Sequence, residues 1–183
     1  MKTLMKNDKL IIGMVHLPPL PGSPNFNDDK NLNKTLKSVE SDIKSLQENG
    51  IDAIMFGNEG DRPYLLKASN ESLSAMAYII GIVKNFVKVP FGVNYLWDPV
   101  ATVALGSICN ANFVREVFTG VYDSDMGLWN PKAAEALRLR SQLNRTDMKI
   151  LFNVNAEFAS PLGKRSTAEK AESAVFSSLA DGI

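Results

Sequence analysis

Several residue types that mark particular protein classes are scarce in this sequence. Its single cysteine, Cys109, cannot form an intrachain disulfide, which fits a reducing compartment. No stretch approaches the roughly 18 uncharged apolar residues of a membrane helix. The start, MKTLMKNDKL, has lysines but no apolar run leading to a cleavage site, so it does not resemble a signal peptide. These absences predict a cytoplasmic protein without a transmembrane segment.

Charge of one sign is also missing. The 20 basic and 20 acidic residues cancel, and we therefore expect no strongly basic face and no nucleic-acid partner. With 45% hydrophobic and 22% charged residues, the composition is ordinary for one globular α/β domain. No linker or low-complexity segment interrupts the chain, so residues 1–183 are predicted to form a single domain.

Five short apolar runs alternate with helical patterns along the chain. The expected strands lie near residues 10–15, 51–56, 91–96, 112–118 and 148–155. The expected helices cover about 30–48, 71–86, 99–108, 131–143 and 166–179. Alternation of this kind favours a parallel sheet with right-handed crossover connections.

Local signals mark where three of these helices begin. Asn70 is the expected N-cap of the second helix, and Asp98 followed by Pro99 is a favourable start for the third. The segment S-T-A-E, which begins at Ser166, has the spacing of a capping box for the fifth helix.

Two architectures are built from repeated strand–helix units, the doubly wound sheet and the eight-stranded barrel. No G-x-G-x-x-G follows the first strand, whose turn is the proline-rich HLPPLPGSP, and this argues against a dinucleotide-binding sheet. Polar residues follow the expected strands all along the chain, as they do at the rim of a barrel. The prediction is an α/β fold of the (β/α)8 TIM-barrel type, incomplete, with about five strand–helix units.

An incomplete barrel has exposed sheet edges. The first strand, LIIGMV, and the fifth, ILFNVN, would lie at the two edges, and neither contains a proline that would block pairing with another chain. We therefore expect the 183-residue chain to be marginally stable alone and to self-associate or bind a partner.

His16 and Glu59 are the candidate catalytic residues. His16 is the only histidine and directly follows the first strand, where it could act as a general acid or base. Glu59 follows the second strand closely and could exchange a proton there. The alternatives are a rim histidine that orders the proline loop and a solvated loop carboxylate.

Polar residues after the third and fourth strands are candidates for substrate binding. Asn94 ends the third strand and could hydrogen-bond a substrate hydroxyl. Arg115 and Glu116 are adjacent in the fourth strand and must face opposite sides. One would lie in the pocket and the other in a structural ion pair, and the sequence does not decide which is which. Arg115 would suit an anionic substrate.

The end of the fifth strand supplies three more candidates. Asn153, Asn155 and Glu157 share one parity and would project from one face of a strand, which favours a substrate-binding role over a hydrated strand end. Asp123 and Asp125, in the loop after the fourth strand, form too weak a pattern for a cation site. No metal site is predicted, and no cofactor is indicated.

Longer strings make the chain resemble a known family. The segments IIGMVHLPPLPGSP, DAIMFGNEGDRPYL, FGVNYLWDP, FVREVFTGVYDSDMGLW and LFNVNAEFASPLG are similar to those of the BtpA family, and most to its SgcQ-like branch. The resemblance implies a (β/α)8 barrel longer than this chain. It also implies links to photosystem I biogenesis with peripheral membrane association, or, through the SgcQ-like branch, to carbohydrate metabolism.

Two functional hypotheses remain open. The first is an enzyme-type pocket for a small polar metabolite, such as a sugar or phosphosugar, with acid/base chemistry by His16 and Glu59. The second is a non-catalytic assembly or regulatory factor. A polar pocket at the rim would favour the first, and an exposed apolar patch would favour the second.

Overall fold

The computed structural model describes residues 9–29 and 31–183, and it contains two sheets. The strands are β1 (Ile12–His16), β2 (Ala53–Gly57), β3 (Phe91–Asn94), β4 (Phe113–Glu116), β5 (Tyr122–Ser124), β6 (Gly127–Trp129), β7 (Lys149–Phe152) and β8 (Ala159–Pro161). The main sheet is parallel throughout, in the order β1-β2-β3-β4-β7. The five predicted strands are therefore present, in sequential spatial order.

A helix follows each strand of the main sheet. The helices are α1 (Asn33–Glu48), α2 (Asn70–Val83), α3 (Pro99–Cys109), α4 (Ala133–Gln142) and α5 (Thr167–Phe176), and a 3-10 turn, Lys84–Phe86, extends α2. Among the described residues, no helix is both long and apolar enough to cross a membrane.

Two of the three predicted helix starts are confirmed. Asp98 accepts hydrogen bonds from the amides of Val100 and Ala101, each at 3.0 Å, and Ser166 forms the full capping box. The prediction for α2 was wrong by one residue. The Ser69 hydroxyl accepts from the amide of Ser72 at 3.3 Å, so Asn70 is the first helical residue.

Alternate side chains of the parallel strands enter two separate apolar clusters. The side chains of Val15, Ile54, Val93, Val114 and Ile150 join the main core, and that core also contains the buried residues of the helices. The side chains on the opposite face form a smaller cluster of Ile12, Met14, Ala53, Met55, Phe113 and Leu151. Strand parity therefore separates a helix-covered face from the face that lines the interior in a barrel.

The segment after β4, expected to be a loop, forms part of a second sheet. β5 pairs antiparallel with β6 through a tight turn that contains Gly127 at φ +97°, and with β8 from the segment after β7. Three-residue strands are too short to show an alternating pattern, which is why the sequence did not reveal them. This three-stranded rim sheet joins the chain segments that follow β4 and β7.

The main sheet does not close into a barrel within the described residues. β1 lies at one edge, and at the other edge Gly182 makes a single parallel bridge to Leu151 of β7. Asp181 fixes this contact, since its carboxylate accepts from the Ile150 amide at 3.0 Å and pairs with Arg140 at 2.6 Å.

Two helical glycines provide a matched test of the packing between helices and sheet. A methyl group at Gly106 in α3 would lie 2.5 Å from Cγ1 of Val114 and 2.9 Å from Sδ of Met148, whereas one at Gly81 in α2 would meet nothing within 4 Å. We expect Gly106→Ala to lower the free energy of unfolding by about 1–3 kcal/mol through overpacking. Gly81→Ala should raise it by about 0.5–1 kcal/mol, because alanine has the higher helix propensity.

Denaturant unfolding of both variants measures the two effects. Equal effects of the two substitutions would show that α3 does not pack as closely on β4 as described.

Candidate functional site

Polar residues stand at the carboxyl ends of three neighbouring strands. His16 of β1 pairs in register with Gly57 of β2, and Gly57 pairs with Asn94 of β3. Because the strands are parallel, their carboxyl ends lie at one edge of the sheet, where Glu59 also follows β2. Asn155, three residues beyond β7, follows the carboxyl end of its own strand at that same edge. The four residues thus lie toward one end of the sheet.

His16 and Glu59 are in contact. His16 Nε2 lies 3.4 Å from Glu59 Oε1, with 56% of the histidine side chain exposed and 24% of the glutamate. The carboxylate of Glu59 folds back over Gly57, since a methyl group there would lie 2.3 Å and 2.6 Å from its two oxygens. The glycine at the end of β2 therefore leaves the space in which Glu59 reaches the histidine.

Burial raises the pKa of Glu59 above its ordinary value. Electrostatic interactions with His16 and Arg115 oppose this rise, and the negative charge of Glu157 adds to it. Three other predicted site residues are thus within electrostatic range of the Glu59 carboxyl group. A carboxyl group with a raised pKa in contact with an imidazole is suited to proton transfer.

The structure resolves which residue of β4 faces which side. Arg115 shares its face with Phe113 of the smaller cluster, and therefore lies on the interior side. Glu116 is completely buried on the other side. The predicted ion pair was wrong: among the described residues neither side chain forms one. Glu116 Oε1 accepts from the Val117 amide at 2.6 Å instead.

Burial explains why Glu116 needs no cation. It raises the pKa of Glu116 to about 8, although hydrogen bonds from the Val117 amide and the Asn94 side chain act against the rise. The carboxyl group is therefore neutral at pH 7, and a neutral acid can be buried without a counter-charge. Asn94 Nδ2 donates to Glu116 Oε2 at 3.1 Å and to the Arg115 carbonyl, which fixes the amide between the two residues.

The prediction that Asn153, Asn155 and Glu157 project from one face of a strand was wrong. The strand ends at Phe152, and Asn155 and Glu157 lie in the turns beyond it. The backbone N–H of Asn153 donates to the backbone carbonyl of Glu116 at 2.9 Å, and Asn155 Oδ1 accepts from Lys170 Nζ at 2.7 Å. The strand stops early because the chain turns back to form β8 of the rim sheet.

Four buried side-chain polar atoms have no hydrogen-bond partner among the described residues. They are two acceptors, Glu59 Oε2 and Asn94 Oδ1, and two donors, Trp97 Nε1 and Arg115 Nε. All four belong to residues at, or just after, the carboxyl ends of β2, β3 and β4. Buried polar atoms are nearly always paired in proteins, so a cluster of unpaired ones marks a place where a ligand or water completes the hydrogen bonds.

An aromatic group adjoins these atoms. The Trp97 ring meets Tyr64, Trp129 and Phe158 edge to face, with centroid distances of 5.9, 5.2 and 6.3 Å. The Tyr64 hydroxyl donates to the Glu59 carbonyl at 3.0 Å, which joins the aromatic group to the His16–Glu59 pair. Sequence reasoning missed Tyr64 and Trp97, although both follow strands in the same way as the polar candidates did.

Asp61, two residues beyond Glu59 in the segment after β2, has a structural role. Its carboxylate accepts from the Leu20 amide at 3.3 Å and from the Ser72 hydroxyl at 2.5 Å, which ties the proline-rich segment to α2. Across the residues that the structure describes, no group of three or more His, Cys, Asp or Glu side chains could hold a metal ion.

Comparison with known proteins identifies the lineage. A profile of the BtpA family matches residues 7–183, which is nearly the whole chain. The chain belongs to the BtpA family. It is 40% identical over 183 residues to "Putative sgc region protein SgcQ" of Escherichia coli K12, and this match covers 100% of the chain and 68% of the relative.

Other BtpA-family relatives are longer than this chain as well. It is 35% identical over 176 residues to "Photosystem I biogenesis protein BtpA" of Synechocystis sp. PCC 6803, covering 94% of the chain and 60% of the relative. It is 37% identical over 156 residues to a protein of Pyrococcus horikoshii, covering 84% of the chain and 59% of the relative. The chain thus spans about three-fifths to two-thirds of the length of these relatives.

Solved structures with a similar fold are TIM-barrel dihydropteroate synthases. The enzyme from Vibrio fischeri superposes with a TM-score of 0.58 at 13% identity, covering 84% of the chain and 48% of the enzyme. The enzyme from Stenotrophomonas maltophilia superposes with a TM-score of 0.57 at 16% identity, covering 94% and 54%. At this identity the similarity shows the fold alone, and it confirms the predicted barrel type.

Gly57→Ala tests the arrangement of the pair. The added methyl group must displace the Glu59 carboxylate, but the displaced atoms end a flexible side chain, so we expect the free energy of unfolding to change by less than about 0.5 kcal/mol. Because His16 is the only histidine, its imidazole NMR resonances report on this site alone. They should shift in Gly57→Ala and stay in place in Gly81→Ala; unchanged resonances in both would show that Glu59 does not lie over Gly57.

Glu116 makes stability depend on pH. Since its pKa is about 8 in the folded protein and near 4.5 ordinarily, the folded state holds the proton more tightly. Its contribution is complete below about pH 4.5 and is lost as the pH rises through 8, with a slope of at most about 1.4 kcal/mol per pH unit. Glu116→Gln should remove this slope, as measured by denaturant unfolding between these limits.

The control is Glu172→Gln, at an exposed position on α5. A slope that persists in Glu116→Gln, or that disappears equally in the control, would contradict the assignment to Glu116.

Proposed function

We propose that this chain carries the acid/base half of a barrel active site that acts on a small polar metabolite with several hydroxyl groups. The observation that carries the proposal is the cluster of four unpaired buried polar atoms next to the His16–Glu59 pair. Since a ligand must supply donors for two of these atoms and acceptors for the other two, a polyhydroxylated compound of the sugar class fits both requirements.

Glu59 is the proposed proton carrier. Burial raises its pKa, which makes the carboxyl group a better proton acceptor than an exposed glutamate, and contact with His16 connects it to an exposed imidazole. Glu59 takes the proton from a substrate hydroxyl or carbon acid in one direction and returns it in the other. The absence of a side chain at Gly57 leaves the space that the carboxylate occupies beside His16.

The remaining candidates bind and orient. Asn94 Oδ1 accepts a hydrogen bond from a substrate hydroxyl, because its amide nitrogen is already held by the Arg115 carbonyl and Glu116. Arg115 Nε and Trp97 Nε1 donate to substrate oxygens. Asn153, Asn155 and Glu157, at the end of β7, lie farther along the same edge and would contact the distal part of the ligand.

A second candidate function is that of a non-catalytic assembly factor, as the name of the Synechocystis relative suggests. One observation favours it: Val175, Phe176 and Leu179, in and after α5, expose apolar side chains, Phe176 by 86%. Exposed apolar clusters of this kind mark contact surfaces for other chains or for further parts of the same protein. The same surface supports the proposal that the chain self-associates or binds a partner.

The enzyme proposal is tested by ligand binding and turnover measured separately. A panel of aldoses, polyols and their phosphate esters is screened by thermal shift, and binders are followed through the His16 imidazole resonances. We expect Asn94→Ala and Trp97→Phe to weaken binding about tenfold, since each removes one buried hydrogen bond. Glu59→Gln should leave binding within a few-fold but reduce turnover of the bound compound by about 10²–10⁴-fold.

Glu172→Gln is the matched control and should change neither quantity. The proposal would be wrong if no member of the panel moves the His16 resonances, or if a bound compound is unaffected by the Asn94 and Trp97 substitutions.

A further inference from the structure

A cavity lies apart from the group around Glu59. It has a volume of ≈ 440 Å³ and is bounded by β5 and β8 of the rim sheet and by one face of α5. Its lining includes two cations, Arg165 and Lys170, and hydroxyl groups such as those of Thr119, Ser173 and Ser177. No aspartate or glutamate is among the described residues that line it, so the cavity is positively charged in a chain with no net charge.

Neither cation is neutralised by an ion pair within the described part of the chain. Arg165 Nη1 donates to the Ser173 hydroxyl at 3.2 Å, and Lys170 Nζ donates to Asn155 Oδ1 at 2.7 Å, and both acceptors are uncharged. Arg165 also interacts electrostatically with Glu169. The Glu169 carboxylate already accepts hydrogen bonds from the backbone amide and the hydroxyl of Ser166 in the capping box.

The donors in this cavity greatly outnumber the bonds they make. A guanidinium group has five N–H donors and an ammonium group has three, and one of each is used here. Such a set of cationic and hydroxyl donors without competing carboxylates suits a tetrahedral oxyanion, which accepts several charge-assisted hydrogen bonds at once.

We infer that this cavity binds the phosphate group of a ligand through Arg165 and Lys170, supported by the surrounding hydroxyl groups. At ≈ 440 Å³ the cavity is larger than a phosphate ion needs, so it can also hold part of an attached organic group. The inference does not rest on the acid/base function proposed above, because it involves neither His16 nor Glu59; the two proposals share only Asn155, which accepts from Lys170.

The test is calorimetric titration of the full chain with ribose 5-phosphate, inorganic phosphate and ribose. We expect saturable one-to-one binding of the two phosphate compounds, weakened at least tenfold in the double variant Arg165→Gln/Lys170→Gln. A ribose 5-phosphate affinity above that of inorganic phosphate would identify a phosphorylated metabolite as the ligand, and equal affinities would identify free phosphate. Ribose should not compete with phosphate.

The matched control is Lys67→Gln/Lys164→Gln, which removes the same charge from two exposed positions that do not line the cavity. It should bind phosphate within about twofold of the unmodified chain. Absence of saturable phosphate binding in the unmodified chain, or equal weakening in both double variants, would overturn the inference. Circular dichroism of the variants verifies that both remain folded, which is expected since none of the four side chains is fully buried.

Discussion

His16, Gly57 and Asn94 are paired across three neighbouring parallel strands, and the candidate site depends on this register. It places the ends of β1, β2 and β3 level with one another, so residues far apart in sequence meet at one edge. A shift of one residue in β2 would turn Gly57 toward the helices and remove the space into which Glu59 folds. The register of the parallel strands therefore determines which side chains lie together at this edge of the sheet.

Different degrees of burial distinguish the carboxyl groups of Glu116 and Glu59. Glu116, completely buried beneath the helices, is neutral at pH 7 and anchors the Asn94 amide. Partial burial raises the pKa of Glu59, and electrostatic interactions with His16 and Arg115 oppose that rise. The first carboxyl group fixes the Asn94 amide, and the second is the proton carrier that we propose. The unpaired atoms of Asn94, Trp97 and Arg115 belong to residues at or just after the ends of β3 and β4, and they add hydrogen-bonding capacity at this edge of the sheet.

The repeating strand–helix pattern was enough to predict the barrel type, because buried parallel strands are short apolar runs that are bounded by turn residues. It was also enough to bring His16, Glu59 and Asn94 to one edge. It could not decide between Arg115 and Glu116, since that choice depends on which strand face meets the helices. The turn back into β8, which removes Asn155 and Glu157 from a strand face, depends on pairing with β5 across more than 30 residues of sequence.

The most direct measurement of the central claim is a high-resolution crystal structure of the chain. The account predicts ordered water or a bound small molecule that joins Glu59 Oε2, Asn94 Oδ1, Trp97 Nε1 and Arg115 Nε, with His16 still in contact with Glu59. A structure in which these four atoms bond directly to other protein groups, with no solvent or ligand between them, would contradict the claim that this edge is a binding site.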